Sequence, residues 1–215
     1  MTPKTSNDLH GNAPDKSAVA LLIIDMINDL EFVDGEALLP PALVAARNIL
    51  QLKRRARASA IPVIYANDNF GRWRSDFRGV VRHCLEDGTR GEPLVRLLEP
   101  DEEDYFVLKP KHSAFFATTL DTLLKYLGAH RLILTGITSD ICVMLTANDA
   151  YMRDLATYVP RDCVAAVTAE ENEHALKYME RVLKTDTTPS GTLDFASLIS
   201  SERPSNRATG VPDET

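Results

Sequence analysis

Three cysteines, Cys84, Cys142 and Cys163, are too few and too far apart to build a disulfide framework or a zinc cluster. No apolar run approaches the ~18 residues that a membrane span needs. The first seventeen residues, MTPKTSNDLHGNAPDKS, lack the apolar core of a signal peptide. These absences predict a cytoplasmic protein with no membrane partner. An excess of positive charge is missing too: 24 Lys and Arg stand against 31 Asp and Glu, a formal charge of −7. That net field disfavours a nucleic-acid partner. There is no internal repeat, and no linker long enough to divide two domains.

What is present fits one folded unit. A chain of 215 residues with 44% hydrophobic content can fill a single core. Residues 1–17 and 201–215 are polar and rich in Pro, Gly and Ser, a composition that cannot repay the entropy of ordering, so both are expected to be flexible. The domain is expected over residues 18–200. Within it, short apolar runs alternate with helical periodicity. AVALLIID (18–25), IPVIYAND (61–68), YFVLKP (105–110), RLILTG (131–136) and TYVPRDCVAA (157–166) read as strands. Helices are expected over 42–60, 92–98, 118–130, 141–154 and 170–184, the one at 118–130 ending at Gly128. Buried strands alternating with helices predict an α/β fold, a mainly parallel sheet between two helical layers.

In open parallel sheets, sites form beyond the carboxyl ends of the strands, where loops and helix starts converge. Asp25 closes the first strand, Asn67 and Asp68 the second, and Lys109 the third; the fourth runs through Gly136 into the turn bearing Cys142. A carboxylate, an ammonium and a thiol therefore share one edge. Cys84 and Cys163 read as small buried residues. Cys142 differs, because a strand, a tight turn and a helix start would favour its thiolate and aim backbone N–H groups at a developing oxyanion; Lys109 would act the same way and Asp25 the other, which leaves the net direction of the thiol pKa open. Gly136 permits the turn, and Thr138, Ser139 and Asp140 are candidates to cap the helix. The arrangement is similar to a nucleophile elbow reached by a different sequence.

Three motifs, LLIIDMINDLEF, VLKPKHSAFFATTLDTLLKYLG and LILTGITSDICVMLTANDAYMRDLATYVPRDCVAA, occur in order across most of residues 18–187. Together they resemble the isochorismatase-like cysteine hydrolases, which include nicotinamidases, carbamoylsarcosine amidohydrolase and biuret hydrolase. The resemblance implies a three-layer Rossmann-like fold, a small-molecule substrate and a homo-oligomer with interfaces near the active site. It also implies a triad of Asp25, Lys109 and Cys142, an oxyanion hole from the backbone N–H groups of Thr138 and Cys142, and a cis peptide between Ile137 and Thr138. The chemistry is hydrolysis of an amide-type C–N bond through a thioester. Isochorismatase-type cleavage of an enol ether, which needs no thiol, is an alternative; so is a non-catalytic, redox-sensing role for a reactive Cys142.

Two departures narrow the reading. Nicotinamidases of the family carry an Asp and several His after the second strand to bind a metal, whereas YANDNFGRWRSDF (65–77) has no histidine. No catalytic metal and no cofactor are expected. Ile27 stands where many members have Gln, which predicts a more apolar pocket beside Asp25. The segment with Asn69, Phe70, Arg72, Trp73, Arg74 and Phe77 reads equally as a lid over the substrate or a subunit interface. Asn69, Arg72 and Trp73, with Phe32 and Phe115, are the candidate substrate-binding residues; Phe116 is a further candidate to line the pocket, and His112 reads as structural.

Overall fold

The computed structural model of the chain describes residues 15–68 and 76–200. Its sheet holds six parallel strands: β1 (Val19–Ile24), β2 (Val63–Asp68), β3 (Tyr105–Lys109), β4 (Arg131–Ile137), β5 (Ala156–Tyr158) and β6 (Val164–Ala165). Their order is β3-β2-β1-β4-β5; β5 pairs with the start of β4 and β6 with its end. Every residue of β1 is buried, because alternate side chains enter two different apolar layers. Val19, Leu21 and Ile23 face α1 (Gly35–Ala58), α2 (Phe77–Glu86) and α3 (Glu92–Leu97). Ala20, Leu22 and Ile24 face α4 (Leu120–Leu127), α5 (Met144–Tyr151) and α6 (Ala169–Leu183). The result is the expected three-layer α/β/α sandwich.

Local chemistry sets the ends of these helices. Thr168 and Glu171 form a reciprocal capping box at the start of α6, and Gly128 stops α4 with φ 77°. Four sequence expectations differ from the structure. Helix α1 begins at Gly35 rather than residue 42, because its apolar stripe extends back to Leu38 and tolerates Pro40 and Pro41 inside the helix. Helix α2 went unread: its stripe of Phe77, Val80 and Cys84 is short, and its start is signalled by Asp76, which accepts the Gly79 N–H at 2.6 Å. The strand expected over 157–166 is two strands, separated after Pro160 by a 3₁₀ turn at Arg161–Cys163. The helix expected from 141 starts as a π-helical turn, Ser139–Val143, that runs into α5.

At the N-terminal end, residues 15–17 dock: Ser17 donates its N–H to the Leu127 carbonyl at 3.0 Å, and Tyr105 donates its hydroxyl to Asp15 at 2.7 Å. Residues 1–14 and 201–215, the rest of the segments expected to be flexible, lie outside the described residues. A last helix, α7 (Phe195–Ser200), packs Phe195 beneath the Arg55 guanidinium, 4.8 Å from the ring centroid.

The topology fixes where a site can form. From β1 the chain winds outward to β2 and β3, then crosses by way of α4 to β4 on the other side of β1. The winding direction thus reverses between β1 and β4, and a crevice opens beyond their carboxyl ends.

Candidate active site

Asp25 follows β1 with φ 53°, a left-handed backbone that a non-glycine residue adopts only when its surroundings hold it there. Two contacts do so. Buried Asn67, on β2, accepts the Ile27 N–H at 3.3 Å and donates to the Ile27 carbonyl at 2.5 Å. The Asp68 N–H donates to the Asp25 carboxylate at 2.7 Å. Lys109 ends β3 with its side chain wholly buried, and its ammonium lies 2.8 Å from the Asp25 carboxylate and 3.7 Å from that of Asp68. The ammonium also donates to the Lys111 carbonyl at 3.4 Å and reaches the Cys142 sulfur at 3.6 Å.

Cys142 is delivered by the end of β4. Gly136 has φ 116°, and a Cβ there would fall 2.0 Å from the Ile24 carbonyl oxygen, so only glycine lets β4 lie this close to β1. The Ile137–Thr138 peptide is cis. The π-helical turn then follows, a geometry found mostly at functional sites. None of Thr138, Ser139 or Asp140 caps it through a side chain; the Ser139 hydroxyl and one Asp140 oxygen are buried with no hydrogen-bond partner among the described residues.

The electrostatics of the three groups are coupled. Burial pushes the Asp25 carboxyl up, outweighing the attraction of Lys109. Burial also opposes the Lys109 charge, but Asp25, Cys142 and Asp68 together hold that ammonium above the ordinary lysine range. The Cys142 thiol is pushed up to about 12, first by burial and then by the Asp25 charge, with Lys109 acting the other way. Between the opposing influences expected at the thiol, burial and the Asp25 charge therefore outweigh the helix start and Lys109. A helix start is worth ~0.3–1 kcal/mol, less than one pKa unit of about 1.4 kcal/mol, and cannot offset burial beside a carboxylate. At rest the site holds a thiol, a cation and a carboxylate more basic than an ordinary aspartate.

Alkylation of the native protein checks this balance. Cys84 and Cys163 are also pushed up to about 12 by burial, and unlike Cys142 both are fully enclosed. Iodoacetamide should therefore label Cys142 first, at a rate that climbs with pH and shows no plateau below about pH 10. Because the Asp25 charge opposes the thiolate, Asp25→Asn should label faster than wild type at a given pH. Slower labelling of that variant, or a plateau near neutrality, would mean that Asp25 does not face the sulfur as a carboxylate.

Other candidates are placed as follows. Asn69, Arg72 and Trp73, together with Phe70 and Arg74, lie outside the described residues. Phe77 belongs to α2, where its ring stacks on Phe106 at 5.0 Å. Phe32 is half-exposed in the segment between β1 and α1, and Phe116 is exposed. Phe115 is buried in the α4–α5 layer, with the Arg153 guanidinium 4.5 Å from its ring centroid. Ile27 is fully buried in the α1 layer, so its side chain turns away from the crevice and does not line it. His112, read as structural, is exposed, with Nδ1 4.0 Å from the Cys142 sulfur. The Asp68 contact to Lys109 was also unread. Its position at a strand end is visible in the sequence, but its reach is not. Among the described residues, no group of three His, Cys, Asp or Glu side chains is placed to hold a metal ion.

The isochorismatase domain family model matches residues 19–189. The chain belongs to the isochorismatase family. It is thereby a hydrolase of the cysteine-hydrolase class. It is 45% identical over 168 residues to the isochorismatase family protein YaaI of Bacillus subtilis (strain 168), covering 78% of this chain and 92% of that one. It is 32% identical over 183 residues to a protein named Isochorismatase from the same organism, covering 81% of this chain and 58% of that longer protein. Among solved structures, N-carbamoylsarcosine amidase from Thermoplasma acidophilum superposes with a TM-score of 0.63 at 26% identity, over 82% of this chain and 98% of that one. No helix among the described residues is long and apolar enough to cross a membrane.

Proposed function

We propose that this member of the isochorismatase family hydrolyses an amide-type C–N bond of a small molecule, with Cys142 as nucleophile, Asp25 as general base and acid, and Lys109 as their electrostatic support. One observation carries this reading: Lys109 stands 2.8 Å from the Asp25 carboxylate and 3.6 Å from the Cys142 sulfur at the topological switch point. An unactivated amide carbon needs a strong nucleophile, and a thiol near 12 becomes one only if a base takes its proton as the bond forms. Asp25, pushed up by burial, is the better base for it.

The steps balance. Asp25 takes the Cys142 proton as sulfur adds to the carbonyl carbon, and the backbone N–H groups of Thr138 and Cys142 receive the oxyanion. Collapse breaks the C–N bond, and Asp25 returns the proton to the leaving amine. Asp25 then takes a proton from water as the hydroxyl adds to the thioester. The C–S bond breaks, and the proton returns to sulfur. Lys109 stays protonated throughout and keeps the carboxylate in line. The likeness to N-carbamoylsarcosine amidase supports a C–N substrate. Phe32, Asn69, Arg72 and Trp73 are the candidates to bind it, and the reading includes a homo-oligomer acting in the cytoplasm.

A second reading, general-acid cleavage of an enol ether, draws on the likeness to the protein named Isochorismatase. It uses Asp25 and leaves Cys142 idle. A screen of small amides, ureas and carbamates against wild type and Cys142→Ala separates the two, because only the first loses turnover with the thiol.

The proposed steps call on no metal, and residues 65–77 lack the histidines of a metal cluster. Chelation should leave turnover within about twofold, since no step depends on a Lewis acid. Strong loss on chelation, restored by added zinc, iron or manganese, would overturn the metal-independent part of the reading.

A further inference from the structure

The helix face that begins at Cys142 in the π-helical turn and runs through α5 to Arg153, just past its end, is engaged by the segment that follows Lys109. Thr146, one turn on, donates its hydroxyl to the Cys142 carbonyl at 2.7 Å and accepts the Ala114 N–H at 3.0 Å. Asp149 accepts the Ser113 hydroxyl at 2.5 Å, and Arg153 covers the Phe115 ring. The spacing of these residues, four, seven and eleven beyond Cys142, is that of a single helix face. Two segments that reach the site from different strands, β3 and β4, are thus joined within one helical turn of Cys142 and beyond.

Thr146 is the central member of this row. It is wholly buried, and its hydroxyl makes one bond as donor and one as acceptor. A Ser or Thr hydroxyl bonded to the carbonyl four residues back bends a helix locally. Here that carbonyl belongs to Cys142, in the π-helical turn. We infer that Thr146 is a positioning residue for hydrolysis: its hydroxyl latches the backbone of the Cys142 turn to the Lys109 segment and so fixes the oxyanion-binding N–H groups relative to the ammonium. The inference rests on the proposed role of Cys142 as nucleophile. It concerns geometry and not ionisation, because Thr146 does not touch the sulfur and carries no charge.

Two thiol reactions tell these apart. Acylation of Cys142 by p-nitrophenyl acetate, followed as a burst of p-nitrophenolate, requires the oxyanion donors in place; alkylation by iodoacetamide requires only an accessible thiolate. Thr146→Val, which keeps the shape and removes the hydroxyl, should slow acylation by about 10- to 100-fold, the effect of a displacement near 1 Å, and leave alkylation within about threefold. Thr146→Ser, which keeps the hydroxyl, should acylate within about threefold of wild type. Wild-type acylation in Thr146→Val would overturn the inference, and so would equal losses in the Val and Ser variants, which would assign the effect to packing. A burst of equal size in Cys142→Ala would instead sink the nucleophile assignment itself. Hydrogen exchange decides the latch in every case: the Ala114 amide of the wild type should exchange as slowly as the amides of α5, and fast exchange there would show that no latch exists.

Discussion

Cys142→Ala is expected to lower hydrolytic turnover by at least ~10⁴-fold, because the proposed route forms its covalent bond to carbon through that sulfur. Asp25→Asn should cost ~10²–10⁴-fold, the usual worth of a positioned general base, even as it speeds alkylation of the thiol. Lys109→Ala should cost ~10²–10³-fold by a distinct route. With the ammonium gone, burial is opposed only by the hydrogen bonds from Cys142 and the Asp68 N–H, so the Asp25 carboxyl is pushed higher still, a larger share is protonated and that share cannot act as a base. Activity that remains in Lys109→Ala should therefore shift toward higher pH, where Asp25 ionises. Groups that act as a unit are not additive: the Asp25→Asn/Cys142→Ala double variant should be little worse than Cys142→Ala. Losses that multiply would indicate that Asp25 and Cys142 act separately.

Gly136→Ala should be among the most destabilising single-methyl additions in the protein, costing about 3 kcal/mol or more and lowering Tm by roughly 6–12 °C. Two causes add at this position. An alanine is strained at φ 116°, and its methyl would fall 2.0 Å from the Ile24 carbonyl oxygen, an atom of the central strand that cannot move aside. Gly128→Ala provides the comparison. It also adds a methyl at positive φ, 77°, yet meets nothing within 4 Å, so it should cost only ~1–2 kcal/mol. Urea denaturation of both variants measures the difference. If Gly136→Ala proves no worse than Gly128→Ala, the close approach of β4 to β1 is not what requires glycine there.

The strand ends were legible because buried parallel strands are short apolar runs, and the residue that ends such a run stands out. Asp25, Lys109 and Cys142 were each found in this way, and the structure brings them together. Less legible were features set by reach. Nothing in the sequence tells that the Ile27 side chain turns into the α1 layer, that His112 comes to 4.0 Å from the sulfur, or that Asp68 extends to Lys109. The Thr146 hydroxyl is visible only as one more polar residue on a helix. Its partner at Ala114 lies 32 residues away, and backbone donors leave no mark on a sequence. The direction of the thiol pKa is open in the sequence for a related reason: a helix start can be read from the chain, whereas the depth at which the sulfur is enclosed cannot. Helix α1 starts at Gly35, seven residues ahead of the expected start at residue 42, because burial of Leu38 carries the helix through Pro40 and Pro41.

The most direct measurement is intact-protein mass spectrometry during turnover of a small amide, urea or carbamate that the screen identifies, with acid quenching on the millisecond scale. An acyl adduct should accumulate on wild-type protein, map to the peptide containing Cys142, vanish as substrate is exhausted and be absent from Cys142→Ala. Turnover with no adduct at any quench time, together with near-wild-type rates in Cys142→Ala, would contradict covalent catalysis and leave general-acid chemistry at Asp25 as the function of the site.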